Sequence, residues 1–205
     1  MEKRCVIIGA GEFLENSLEL YENDYIIAAD GGYAHCMKIG VKPHLVVADF
    51  DSFKGSVEGV SILKSVPEKD DTDLMLSIQE GLRLGYKEFV IYGALGGRLE
   101  HSLGNIGCLH YLNKHDAHGV LISKNCKVEV LSKGIYTYED EGYISIFSMN
   151  EKSIVSLRNL KYEVDYYELN NYTTIGVDNE FINKKATIEI HEGVLIVVRN
   201  KESLW

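Results

Sequence analysis

Prolines number two and tryptophans one in 205 residues, too few prolines for a proline-rich, collagen-like or low-complexity chain. Cysteine is sparse as well: Cys5, Cys36, Cys108 and Cys126 stand far apart, with no Cys-x-x-Cys and none of the close pairs of a zinc site. They read as reduced structural thiols. No apolar run approaches the roughly 20 residues that cross a bilayer, and Met1 to Ile8 passes directly into a short strand pattern. The expectation is a cytoplasmic protein without a membrane segment. Basic residues are few, 21 Lys and Arg against 31 Asp and Glu, and the formal net charge of −10 argues against a protein that tracks a nucleic-acid backbone. A small nucleotide remains open as a ligand, because backbone N–H groups, a few basic side chains and a divalent cation suffice to hold a polyphosphate.

What is present is an ordinary globular composition, 45% hydrophobic and 25% charged. In the first half, Cys5–Ile8, Tyr25–Ala29, Leu45–Ala48 and Glu88–Tyr92 are apolar runs without strict alternation, which suits parallel strands covered on both faces. Leu74, Ile78 and Leu82 recur at helical spacing with Gly85 as the stop, and His101 to Leu112 predicts a further helix. The second half changes to a period of two over Lys127–Leu131, Tyr143–Phe147, Thr187–His191 and Val194–Val198, with Glu192-Gly193 as a hairpin turn between the last two. The expected class is α/β: an open, mostly parallel sheet with flanking helices over residues 1–116, then an antiparallel β domain over 117–205.

Four segments place acidic residues where a parallel sheet exposes its carboxyl edge: Asp30-Gly31-Gly32, Asp49-Phe50-Asp51-Ser52, Lys69-Asp70-Asp71-Thr72-Asp73 and Gly96-Gly97-Arg98-Leu99-Glu100-His101. On an extended backbone Asp49 and Asp51 project the same way. Asp73, at a helix start with Asp71 or Thr72 as cap, adds a third carboxylate that repels the other two unless a cation joins them. Magnesium, which takes hard oxygen ligands and phosphate oxygens together, resolves that conflict. Gly31 and Gly32 permit backbone donors to approach an anion, Asp30 suits water, metal or a nucleotide hydroxyl, and Arg98 opposes phosphate charge.

Taken in order, Asp30-Gly31-Gly32, Gly40-x-x-Pro43, Asp49-Phe50-Asp51-Ser52, Lys69-Asp70-x-Thr72-Asp73 and Gly96-Gly97-Arg98-x-Glu100-His101 followed by Asn105 strongly resemble the thiamin pyrophosphokinase family. The likeness extends less sharply through Leu160-Lys161-Tyr162 and Asp178-Asn179-Glu180, and so covers most of the chain. It implies an N-terminal kinase domain, a C-terminal β-sandwich that binds thiamin and makes a homodimer with sites between subunits, and magnesium-dependent transfer of pyrophosphate from ATP to thiamin. Carried over residue by residue, it puts magnesium on Asp49, Asp51 and Asp73, and catalysis on Asp51, Asp73, Asp70 and Arg98. Nucleotide binding falls to Asp30, Gly31, Gly32, Lys69, Thr72, Arg98, His101 and Asn105, and thiamin binding to Glu100, Asp178 and Asn179.

Three positions depart from the family pattern: Ala48 for a usual Gly, Glu100 for Asp, and Asp178 for a common Ser. These departures motivate two alternatives, a pyrophosphokinase for another heteroaromatic alcohol and a noncatalytic nucleotide or thiamin sensor. The tyrosines Tyr162, Tyr166, Tyr167 and Tyr172 offer aromatic faces either to a thiamin ring or to a protein interior.

Overall fold

The computed structural model describes residues 3–11, 18–48, 60–64, 71–182 and 184–201, and the chain divides into two compact units, Met1–Lys124 and Asn125–Trp205. Asp49, Asp51, Lys69 and Asp70 lie outside the described residues. No helix among those described is long and apolar enough to cross a membrane.

The first unit contains β1 (Arg4–Ile8), β2 (Tyr25–Ala29), α1 (Gly32–Lys38), β3 (Leu45–Ala48), β4 (Ser61–Lys64), α2 (Asp73–Arg83), β5 (Glu88–Tyr92), α3 (Leu99–Lys114) and β6 (His118–Ile122). Its strands are parallel in the order β6-β5-β1-β2-β3-β4. Val6, Ile8, Ala28, Val46, Val90 and Tyr92 form one core face with Cys36. The alternate residues Cys5, Ile7, Ile27, Phe89 and Ile91 are also fully buried, which is why these strands read as continuous apolar runs. α2 packs closely on that second face, since a Cβ on Gly81 would stand 2.6 Å from the Phe89 ring. Gly85, at φ +89, ends α2 in the left-handed conformation its position predicts. The first unit runs past the expected boundary at 116 because β6 pairs with β5 from Glu88↔His118 to Tyr92↔Ile122, closing the parallel sheet.

The second unit is antiparallel: β7 (Cys126–Tyr138), β8 (Tyr143–Ser148), β9 (Lys152–Arg158), β10 (Val164–Asn170), β11 (Asn179–Glu180) and β12 (Ala186–Asn200). The hairpin expected at Glu192-Gly193 does not form. β12 continues for 15 residues, pairing with β7 from Ala186↔Tyr138 to Asn200↔Cys126, so both halves keep one direction. The extra residues are absorbed as a bulge at Ile190/Val194 with Gly193 at φ +92, where a Cβ would lie 2.2 Å from the Ser153 hydroxyl. Before the bulge β12 pairs with β9 and beyond it with β8, which makes the strand a shared corner of two layers. Leu157, Ile188 and Ile190 from one layer and Ile144, Ile146 and Val197 from the other meet in a single core.

A candidate active site at the carboxyl edge of the parallel sheet

From β1 the chain steps outward through β2, β3 and β4, then returns to β5 on the other side of β1. Strand order reverses there, and an open α/β sheet leaves a crevice beyond the carboxyl ends of the two strands. The loops leaving β1 and β5 are laced together at that point: Gly9 N–H donates to the Tyr92 carbonyl at 2.8 Å and Gly11 N–H to the Gly93 carbonyl at 2.7 Å. Only glycine permits the approach. A Cβ on Gly9 would lie 2.6 Å from the Gly93 oxygen, and Gly93, at φ +65, would place one 2.5 Å from the Gly9 oxygen. A second tie comes from Tyr92, whose buried hydroxyl accepts the Glu19 N–H at 3.2 Å; that burial raises its pKa.

Beyond the lacing lies a cleft of about 560 Å³ lined by Gly9 to Gly11, Asp30, Thr72, Asp73, Gly96, Gly97, Arg98, His101 and Asn105, among others. Asp30 leaves β2 at φ +51 with its N–H bound to the Val47 carbonyl, a left-handed turn that a short Asx side chain tolerates. Thr72 caps α2, its hydroxyl accepting the Met75 N–H at 3.3 Å, and Asp73 follows in the first helical turn. The helix N-terminus favours negative charge there, which suits an acidic residue in the first turn. Arg98, also in the lining, occupies the N-cap position of α3 without a side-chain capping bond. Its guanidinium meets Glu100 at 2.6 Å, and both side chains are largely exposed. Glu100 sits in the first turn, where its own backbone N–H, and then Arg98, hold its carboxyl below the usual carboxylate range. Asn105, one turn beyond His101 on the same helix face, donates Nδ2–H to the Ala94 carbonyl at 2.7 Å.

Six of the residues singled out from sequence thus converge: Asp30, Thr72, Asp73, Arg98, His101 and Asn105. Gly31 and Gly32 do not line the cleft. Gly32 serves packing, since a Cβ there would fall 1.8 Å from the Ile8 carbonyl oxygen, and Gly31 lies against Ala10. Glu100 also lies off the lining, turned to Arg98. Among the described residues no group of three His, Cys, Asp or Glu forms a metal site. Asp30 and Asp73 nevertheless bring two hard-oxygen carboxylates to the cleft, the donor type magnesium prefers. Sequence reading missed the Tyr92–Glu19 and Asn105–Ala94 links. They are contacts of main-chain groups across 73 and 11 residues, which leave no compositional mark.

In the second unit, Asn179 is buried and fully engaged: Oδ1 accepts the N–H groups of Tyr162 and Glu180, each at 2.9 Å, and Nδ2 donates to the Tyr162 carbonyl at 2.7 Å. It staples the Tyr162 segment to β11 and forms part of one wall of an apolar pocket of about 330 Å³ with Ile144, Ile146, Leu157 and Val177 among its other walls. Asp178, exposed at φ +58, is anchored by its N–H to the Ser145 hydroxyl at 3.1 Å.

Comparison with known proteins agrees with this division. A profile of the thiamin pyrophosphokinase catalytic domain matches residues 17–121, and one of the thiamin pyrophosphokinase vitamin B1 binding domain matches 134–195. The chain is 29% identical to the thiamine pyrophosphokinase of Bacillus subtilis, over 96% of this chain and 98% of that one. In fold it is similar to the crystal structure of thiamine pyrophosphokinase from Bacillus subtilis (TM-score 0.90, 24% identity, 98% and 100% of the two chains). It is similar as well to that from Candida albicans (TM-score 0.80, 15% identity, 97% and 89%). With each structural unit carrying its own profile in the same order, and a relative matched along nearly its whole length, the chain belongs to the thiamin pyrophosphokinase family.

Proposed function

We propose that this protein transfers a pyrophosphoryl group from ATP to the hydroxyl of thiamin, giving thiamin diphosphate and AMP. The observation that carries the reading is the cleft at the sheet reversal, where two carboxylates, two helix N-termini, glycine-rich turns and an arginine meet. Phosphate oxygens are matched by the N–H groups of the Gly96-Gly97 turn and by Arg98, whose pair with Glu100 is exposed at both ends and therefore weak enough to exchange for phosphate. Asp73 is proposed to hold magnesium with Asp49 and Asp51, and magnesium, when bound, offsets phosphate charge. Asp30, Lys69, Asp70, Thr72, His101 and Asn105 border the nucleotide in this reading. Asp51 or Asp73 orients the thiamin hydroxyl and takes its proton. The hydroxyl oxygen attacks the β-phosphorus, the bond from that phosphorus to the oxygen bridging the α-phosphate breaks, and AMP leaves with the bond's electron pair. An ordinary Asp is a weak base, so positioning contributes more to the rate than proton abstraction.

Thiamin recognition is assigned to the second unit and to Glu100, with Asp178 offering a negative charge to the cationic ring system and Asn179 shaping the apolar pocket it lines. The exposed apolar side chains Leu99, Leu103, Tyr162, Tyr166, Tyr172 and Ile175 support assembly as a homodimer, in this reading with sites completed between chains. The test is direct: purified protein, magnesium, ATP and thiamin are mixed, and AMP and thiamin diphosphate are quantified. Equal amounts of both are expected. ADP with thiamin monophosphate rejects pyrophosphoryl transfer, and absence of thiamin-dependent AMP across metals and pH rejects the activity.

A further inference from the structure

We infer that Asn105 is a specificity-determining residue that reads a hydrogen-bond donor on the nucleoside portion of the nucleotide. The inference rests on the nucleotide reading of the cleft and adds which part of the ligand meets α3. A main-chain carbonyl only accepts, so the 2.7 Å contact with the Ala94 oxygen must be made by the NH2 end of the Asn105 amide. Amide planarity then turns Oδ1 away from Ala94, and that oxygen has no hydrogen-bond partner among the described residues. Rotating the amide would set oxygen against oxygen. Nor is Ala94 free to adjust, being 7% exposed and directly following the laced Gly93. Half-buried Asn105 therefore lines the cleft with an acceptor of fixed orientation.

A polyphosphate near neutral pH presents acceptors almost exclusively, so it repels Oδ1. What satisfies an acceptor is a hydroxyl or an amino group, and on a nucleotide these belong to the sugar and the base. Along α3 the lining changes character in the same sense: Arg98 at the N-terminus is a pure donor, and Asn105 lies seven residues on, about 10 Å along the axis. The helix thus sets phosphates toward its N-terminus and the nucleoside toward its second turn. Ribose hydroxyl and exocyclic amino group share this chemistry, and nucleotide analogues separate them.

Calorimetry on the intact protein, with magnesium, would compare α,β-methylene-ATP with its 2′-deoxy, 3′-deoxy and 6-deamino counterparts, for wild type and Asn105→Leu; Asn105→Ser replaces Asn105→Leu should the latter fail to fold. Wild type is expected to bind at least one donor-lacking analogue about tenfold more weakly. The variant should bind the complete nucleotide about tenfold more weakly and no longer distinguish it from that analogue. The analogue that fails identifies the source. Selectivity retained in the variant overturns the inference, as does a variant in which only the affinity for thiamin falls. Nucleotide binding without AMP production would instead sink the proposed reaction while leaving the role of Asn105 to the selectivity measurement.

Discussion

At the scale of single residues, burial and charge make separable predictions. Burial pushes the Cys5 thiol from 9.0 up to about 12, and the Cys36 and Cys108 thiols up to about 11. Well below pH 9 these thiols are protonated whether the chain is folded or not, and the preference for the neutral form has no effect on the pH dependence of stability. Above it the unfolded chain releases protons that the folded chain keeps, so stability falls as pH rises from 9 toward 11, by on the order of 1 kcal/mol per thiol at one unit above its ordinary value. Urea melts at pH 8 and pH 10 should show that loss, and Cys36→Ala should lessen it; an unchanged slope in the variant excludes the thiol as its source. In native protein at pH 8, iodoacetamide should label half-exposed Cys126 before the three buried thiols, as peptide mapping would record.

The second residue prediction concerns Asp73. Replacement by Asn keeps volume and leaves the Thr72 cap on Met75 in place, but removes the charge that the proposed magnesium and its phosphates require. Turnover should drop about a hundredfold or more with an unchanged circular dichroism spectrum. Full turnover under limiting metal would remove Asp73 from the shared-magnesium set.

Secondary-structure elements carry the next prediction, because the cleft depends on how two loops cross. Gly93→Ala adds strain at φ +65 and a Cβ 2.5 Å from the Gly9 oxygen, and it should cost roughly 2 kcal/mol or more as the lacing opens. Thr72→Ala removes only the cap of α2, for about 1 kcal/mol. Denaturant melts would rank the two, and equal stability of Gly93→Ala and wild type would show that the crossing tolerates a side chain. Legibility at this scale was uneven for physical reasons. The βα pattern of the first half was visible since strands buried on both faces need continuous Val and Ile, and α2 was visible through Leu74, Ile78 and its stop at Gly85. The long strand β12 was misread as a hairpin because Glu-Gly between two alternating runs is a turn signal by local chemistry, while the choice between turning and bulging is made by β7 alongside.

For the whole molecule, the prediction follows from the proposed dimer. If the second unit of one chain completes the cleft of the other, Asp73→Asn and Asn179→Ala place their defects in different halves of each site. After subunit exchange a mixed dimer holds one site with both defects and one with neither, and activity should return to as much as half the wild-type value. Verified mixed dimers of two folded parents that stay inactive would refute sites shared between chains. Asn179→Ala also breaks the staple to Tyr162, so its fold must be checked by melting before exchange.

Composition and pattern alone determined the α/β start and the antiparallel finish, and they singled out the acidic and glycine-rich segments that are proposed to handle phosphate. Those properties are local: they follow from which side chains repeat and at what period. Only the tertiary structure decided which of the flagged residues meet. Asp30, Thr72, Asp73, Arg98, His101 and Asn105 come together because β5 returns beside β1, and that crossover brings loops some 80 residues apart within hydrogen-bonding reach. The same packing turned Gly32 into a contact for Ile8, joined Glu100 to Arg98, and gave the Asn105 amide its orientation through Ala94. Side-chain identity supplies the chemistry a residue can perform, while the atoms packed around it determine which of its polar ends remain for a ligand.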